Sequence, residues 1–406
     1  MAGLAAQAMT ARQRALSLAA VIVSTVGLGL SYGIGYPLTS LKFEEWGASG
    51  LLIGLAGGMP AVAVFLLLPI LPRIIGRIGA VQSMVIGCAL TAFGFLLMPV
   101  FQSVEAWILL RFLIGAGITF PWLVGETWIN LVTTEAARGR MMALYAMAVF
   151  GGYAAGPLVL NAVGTAGFAP YAIGIGAMVA TAAPLLAAWN LAPALEPHPQ
   201  SGLLGAIRLA PIAMIGAFAG GITELGYFSL LPVYALDAGL TTADGLVLLS
   251  ILTVGGIVLQ FPIGWLCDRV SRDAVMTGLG FACALLSVAF AAAIDSEISR
   301  LLLAFLLGGA VLGFYSVGLI VLGTRVPAGE LAVANAAFLM IYQAGSIVGP
   351  GVAGGAMDIW QPHGFAAAMA VFALATSFAT IWLIYRRKSL GTPRTRSAHA
   401  GDAPHQ

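Results

Sequence analysis

Apolar residues along this chain gather into twelve long blocks, separated by short polar stretches. The blocks run roughly over 15–38, 49–71, 80–101, 105–132, 139–163, 167–191, 208–234, 244–267, 273–294, 298–323, 331–356 and 364–386. Each approaches or exceeds the ~20 residues that an α-helix needs to cross a hydrocarbon core. The strict every-second-residue alternation of a membrane β-barrel is absent. The pattern predicts an all-α integral membrane protein with twelve transmembrane helices.

The pattern also repeats. Gly152-Tyr-Ala-Ala-Gly156-Pro157 returns 193 residues later as Gly345-Ser-Ile-Val-Gly349-Pro350. At that same offset Phe112, Leu113, Gly115, Met147 and Val159 meet Phe305, Leu306, Gly308, Met340 and Val352, and Pro69-Ile70 meets Pro262-Ile263. Between the copies lies Pro193-Ala-Leu-Glu-Pro197-His-Pro199-Gln-Ser-Gly202, a run of helix breakers. The expected organisation is a six-helix bundle over 1–192, a cytoplasmic linker over 193–207, a second six-helix bundle over 208–388 and a disordered cytoplasmic tail over 389–406. Two similar bundles that rock about a site between them are a common transporter plan.

Composition and charge narrow this further. The chain is 60% hydrophobic and 8% charged, against roughly a quarter charged in soluble domains. Placing the N-terminus in the cytoplasm puts Arg12, Arg14, Arg73, Arg77, Arg138, Arg140, Arg208, Arg269, Arg272, Arg325, Arg386, Arg387, Lys388, Arg394 and Arg396 on that side. These are 15 of the 18 basic residues. The opposite loops carry Glu44, Glu45, Asp237, Asp244, Asp295 and Glu297. By the positive-inside rule both termini are expected in the cytoplasm. No signal peptide is evident. The basic residues are scattered over short loops, so nucleic acid is not an expected partner. Cys88, Cys267 and Cys283 fall in or beside apolar blocks and form no disulfide or metal framework. No Walker-type loop points to ATP, no ligand set to a metal, and no catalytic set to an enzyme. No cofactor is expected.

At this point the chain resembles the major facilitator superfamily, over essentially its whole length. Three motifs carry the resemblance. The first is Gly264-Trp-Leu-Cys-Asp268-Arg269-Val-Ser-Arg272 after the eighth block, where Gly264 would permit close helix approach and Asp268 with the arginines would form a gating charge cluster. Its first-half counterpart, Pro72-Arg73-Ile-Ile-Gly76-Arg77-Ile-Gly79, has Gly76 where the family has Asp. The second is Arg111-Phe-Leu-Ile-Gly115 on the fourth block. The resemblance implies an arginine that exchanges partners with a proton-carrying group; the alternative is an arginine reaching back to the interface. The third is the Gly-Pro pair itself, a helix-interface motif made of Gly152, Gly156, Pro157, Gly345, Gly349 and Pro350. In the family, such a motif in the fifth helix is associated with export. Here the fifth-block copy lacks the trailing glycines of Gly345-x-x-x-Gly349-Pro350-x-x-x-Gly354-Gly355, having Leu158-Val-Leu160 after its proline.

The family's first, fourth, seventh and tenth helices line its cavity, which directs attention to the polar groups there. Arg111, Gly115, Ile118, Trp122 and Glu126 share one helical face. Glu224 lies deep in the seventh block with no basic residue near it in sequence. Lipid burial disfavours a bare carboxylate, so Glu224, with Arg111 and Glu126, is a proton-coupling candidate. Glu126 could instead pair structurally with Arg138 or Arg140. Substrate-cavity candidates are Trp122, Tyr32, Tyr36, Tyr227, Tyr315, Asn335 and Gln343, several of which could equally serve as belt or packing residues.

The expected function is secondary active transport of a small organic solute with ring or apolar character, coupled to protons, by alternating access, from a monomer in the lipid bilayer. Export is favoured slightly. The segment from Arg111 through Arg140 is also similar to a bacterial branch that resembles both presumed drug exporters and a riboflavin-type importer, so a bacterial inner membrane is the expected location and uptake of an aromatic vitamin or metabolite stands as the alternative. A non-transporting sensor with the same fold is the second.

Overall fold

A computed structural model describes residues 9–193 and 203–389. Most of the linker and the C-terminal tail named above therefore lie outside the described residues. Inside lipid, every backbone N–H and C=O must be satisfied within the segment, and helices answer that requirement. The first half comprises α1 (Ala11–Glu45), α2 (Gly50–Leu67), the short α3 (Leu71–Ile78), α4 (Ala80–Leu97), α5 (Val104–Val132), α6 (Arg138–Val163) and α7 (Ala169–Ala187). The short α8 (Leu203–Leu209) leads into α9 (Pro211–Asp237), α10 (Thr242–Arg269), α11 (Arg272–Ala292), α12 (Glu297–Arg325), α13 (Leu331–Ile359) and α14 (His363–Ser389). Twelve of these are long and apolar enough to span a membrane, all but α3 and α8.

The helix ends depart from the apolar blocks for local reasons. The first span continues beyond its apolar run to Glu45 and stops where Gly47 takes φ +72°, a turn that excludes most side chains. The second block breaks at Leu67, because Pro69 and Pro72 cannot extend a hydrogen-bond ladder. The chain restarts as α3, which buries Leu71 and Ile75 and exposes Arg73 and Arg77.

The repeat in sequence is a repeat in packing. A Cβ added to Gly152 on α6 would lie 2.5 Å from the Val26 carbonyl oxygen and 2.6 Å from the Leu30 nitrogen of α1. One added to Gly345 on α13 would lie 2.2 Å from the Phe218 carbonyl oxygen and 3.1 Å from the Ile222 nitrogen of α9. The small residues of the Gly-Pro motif thus pull α6 onto α1, and α13 onto α9, by the same close backbone approach. Gly115 against Pro60 and Gly308 against Leu252 repeat the theme for α5 on α2 and α12 on α10.

Within each half, polar groups staple helices together. The Trp128 indole donates to Ser17 Oγ at 2.8 Å, and Ser17 in turn donates to the Leu191 carbonyl at 2.9 Å. In the second half Ser377 donates to the Thr277 carbonyl at 2.8 Å, and Arg300 pairs with Asp244 at 3.2 Å. Large apolar side chains such as Phe261, Ile298 and Ile359 face outward, as a lipid environment requires.

The halves meet chiefly along α2 and α13. A Cβ on Gly54 would fall 2.0 Å from the Pro350 carbonyl oxygen, and one on Gly354 would fall 1.9 Å from that of Gly50. Pro350 and Gly354 thus serve the seam between halves, while Gly345 and Gly349 serve the packing inside the second half. The most enclosed span is α9, 89% buried over its most apolar window against 33% for α6 and α14.

Candidate functional site

Polar and aromatic groups concentrate where α1, α5, α6, α9 and α13 converge. Tyr32 and Tyr36, one turn apart on α1, stack nearly parallel with ring centroids 5.7 Å apart. Tyr153 of α6 stacks on the other side of Tyr32 at 5.3 Å, and Phe228 of α9 meets Tyr153 edge-on at 5.0 Å. The result is a ladder, Tyr36–Tyr32–Tyr153–Phe228, that begins in one half and ends in the other.

Arg111 closes the first end of this ladder. Its guanidinium carbon lies 4.4 Å from the centre of the Tyr36 ring, a cation–π geometry. Gly35 makes room for it, since an added Cβ would come within 2.9 Å of Arg111 Nη1. The side chain is 1% exposed, and its Nε and Nη2 have no hydrogen-bond partner. Arg111 is therefore held inside the bundle rather than reaching back to an interface.

Glu224 lies across the seam on α9, 7% exposed. Among the described residues no ion pair reaches it. The Tyr342 hydroxyl of α13 faces its carboxylate. Tyr32 and Tyr36 sit within electrostatic range of both Glu224 and Arg111. The cation and the carboxylate thus both act on the tyrosine stack, and no ion pair joins them among the described residues.

A second cluster lies closer to the face that carries the termini. The Trp122 indole donates to Glu126 Oε1 at 3.0 Å, and the Tyr145 hydroxyl donates to the Trp122 carbonyl at 3.1 Å. Glu126 is thus engaged by its own helix face, and no ion pair to Arg140 forms among the described residues. Tyr315 packs edge-on against Tyr342 and Phe338, each at 5.2 Å, and lies within range of both Glu126 and Glu224. Tyr315 thus lies within the influence of the two carboxylates, and Tyr342 faces Glu224.

Other sequence candidates fall elsewhere. Tyr227 turns into the second half, bonds Ser287 across 2.8 Å and packs edge-on against Phe365. Its neighbour Phe228 takes the place on the seam. Gln343 is buried beside Tyr342, and Asn335 is partly buried near the start of α13. Tyr153, Phe228 and Tyr342 complete the arrangement. Tyr153 lies inside the repeated Gly-Pro motif, a signal that could have drawn attention to it.

The loop motif is built differently from its expectation. Gly264 is no point of close approach: an added Cβ would meet nothing within 4 Å, because it lies on the outer face of α10 with Phe261, Trp265 and Leu266, while Cys267 on the inner face is buried. Arg269 stacks on Trp265 at 4.1 Å, Arg272 Nε has no hydrogen-bond partner, and Asp268 is exposed. The ion pair here joins Arg325 of α12 to Asp273 of α11, within one half. Among the described residues no group of His, Cys, Asp and Glu could hold a metal ion.

Known proteins share this pattern of sequence and fold. The sequence pattern of the Major Facilitator Superfamily matches residues 16–322 and, in a second overlapping stretch, 247–404. The uncharacterized MFS-type transporter YfkF of Bacillus subtilis is 27% identical over 388 residues, covering 91% of this chain and 94% of that protein. The uncharacterized MFS-type transporter YcaD of Escherichia coli K12 is 26% identical over 324 residues, covering 79% of this chain and 82% of its own. Among solved structures, the nucleoside transporter NupG superposes with a TM-score of 0.73 at 15% identity, over 93% of this chain and 100% of that one. The peptide transporter POT with alafosfalin superposes with a TM-score of 0.74 at 13% identity, over 92% and 95%. With twelve spans, a repeated half and a pattern matched from end to end, this chain belongs to the major facilitator superfamily and is a membrane transporter rather than an enzyme.

Proposed function

We propose that this protein is a proton-coupled secondary transporter of a small organic solute with aromatic or apolar character, working as a monomer by alternating access. The observation that carries this reading is Glu224: a carboxyl buried at the seam, free of any ion pair among the described residues and facing Tyr342. Intramembrane carboxyls in such positions are characteristic proton carriers. Arg111 holds a complementary charge at the far end of the tyrosine ladder. Protonation of Glu224 and binding of a ring-bearing solute along the ladder would bias the same equilibrium between outward- and inward-open states. Glu126, which shares Tyr315 with Glu224 within electrostatic range, offers a proton stop toward the face that carries the termini. That face carries the basic loops, so we assign it to the cytoplasm of a bacterial inner membrane.

The direction we favour is export, from the tandem Gly-Pro motif. Uptake of a planar vitamin or metabolite would use the same stacked rings. The test is a pH readout in inside-out vesicles with an imposed proton gradient, against a panel of aromatic vitamins, amino acids and cationic dyes. Dissipation of the gradient by a panel compound supports coupled export; dissipation seen only in right-side-out vesicles with an inward gradient supports uptake. Accumulation that proceeds unchanged with the proton gradient collapsed contradicts proton coupling.

A further inference from the structure

Among the described residues the seam has one polar fastening on the face opposite the termini. Asp358, in the last turn of α13, accepts hydrogen bonds from the backbone N–H groups of Gly50 at 2.6 Å and Leu51 at 2.9 Å. These are the first two residues of α2, in the other half. The first N–H groups of any helix lack partners within it. Ser49 Oγ accepts from Leu52 at 3.4 Å, so the cap of this helix is shared between halves.

Three features single this contact out. Asp358 sits at the wrong pole of its own helix, where the macrodipole is negative, and at the right pole of α2. Its reach depends on the glycines: the backbones of Gly50 and Gly354 touch, and a Cβ on Gly50 would lie 2.6 Å from the Gly354 carbonyl oxygen. The repeat mate of α2 does without such help. There α10 is capped by its own loop, Thr241 Oγ1 accepting from the Asp244 amide and Asp244 accepting from that of Thr241. The residue of the first half that matches Asp358 at the 193-residue offset is Thr165. The fastening is therefore a departure from the repeat, made once.

We propose that Asp358 is a latch that holds the face opposite the termini closed by capping α2 across the seam, and that opening this face requires its release. Glu44 at the end of α1 and Asp237 at the end of α9 lie close enough to Asp358 to repel it. The latch thus works against like charges and is poised rather than locked. Its failure would leave the proton-coupling proposal standing, since neither Glu224 nor Arg111 takes part.

The test is a distance distribution from spin labels at Leu52→Cys and Ile359→Cys, both exposed positions, in the full chain in lipid nanodiscs. The native cysteines are buried and stay in place. The unsubstituted seam should give one dominant short distance. Asp358→Asn and Asp358→Ala should raise the longer-distance population about tenfold, as loss of charge-assisted bonds implies. Glu44→Gln with Asp237→Asn should shift it the other way. Hydrogen exchange in the native chain gives a second reading that needs no variant: the Gly50 and Leu51 amides should be protected although no intrahelical bond serves them. Distributions in the Asp358 variants that superpose on the parent, or free exchange at those two amides, overturn the proposal.

Discussion

The guanidinium of Arg111 rests on the ring of Tyr36, 4.4 Å from its centre, and makes no ion pair among the described residues. A cation in the bundle interior is thus met by the face of an aromatic ring. Such contacts are worth about 0.5–2 kcal/mol, the larger figure when desolvated. Replacing Tyr36 by Phe keeps the ring but removes the hydroxyl that faces Arg111, and should cost less thermal stability than replacement by Leu. Replacing it by Leu removes the π-face and should lower the melting temperature measured in detergent. Equal melting of the Phe and Leu variants would contradict the cation–π assignment.

Adjacent glycines on α6 should respond in opposite ways. A Cβ on Gly152 would intrude on α1, whereas one on Gly151 would meet nothing within 4 Å. Overpacking of this kind costs about 1–3 kcal/mol, and replacing an exposed helical glycine by alanine is neutral or favourable. Gly152→Ala should therefore lower the melting temperature by several degrees, and Gly151→Ala should leave it unchanged or raise it. The same comparison at Gly345 and Gly355 extends the test to the second half, where only the former abuts backbone.

Ser17 links the Trp128 indole to the Leu191 carbonyl, tying α1, α5 and the turn that follows α7. Alanine at this position leaves a buried N–H without its acceptor, a loss of about 1–3 kcal/mol. Thr at the same position keeps a hydroxyl and should recover part of it. Urea or thermal melts of the two variants check the order.

Much of this molecule is legible in its sequence because lipid leaves the chain few choices. Twelve apolar blocks become helices since nothing else satisfies the backbone, and the offset that relates Gly152 to Gly345 reappears as one packing geometry used twice. Arg111, Glu224, Tyr32 and Tyr36 stood out because polar groups are rare in such blocks. Helix rotation was harder to read. Tyr227 and Phe228 are neighbours about 100° apart around α9, and only packing determines that Phe228 faces the seam while Tyr227 faces Ser287. Tyr153 joins the ladder by stacking on Tyr32, and the step from it to Phe228 in the other half is one that no local pattern announces. Asp358 reads locally as an ordinary polar residue at a helix end; its partner is another helix start, 308 positions away in the chain. Gly264 carries a family motif, but close approach needs a neighbouring helix on its own face, and Gly264 faces away from the helices that bury Cys267.

The most direct test of the central claim is to separate exchange from uphill transport in Glu224→Gln. The parent and the variant are reconstituted in proteoliposomes and assayed with a compound that dissipates the proton gradient in the parent. Amide replacement keeps the volume and hydrogen-bonding capacity of the side chain but cannot carry the proton. The account predicts that the variant still exchanges labelled for unlabelled compound across the membrane, yet no longer accumulates it against its gradient when a pH difference is imposed. Accumulation by the variant equal to that of the parent would contradict the assignment of Glu224 as the coupling carboxyl.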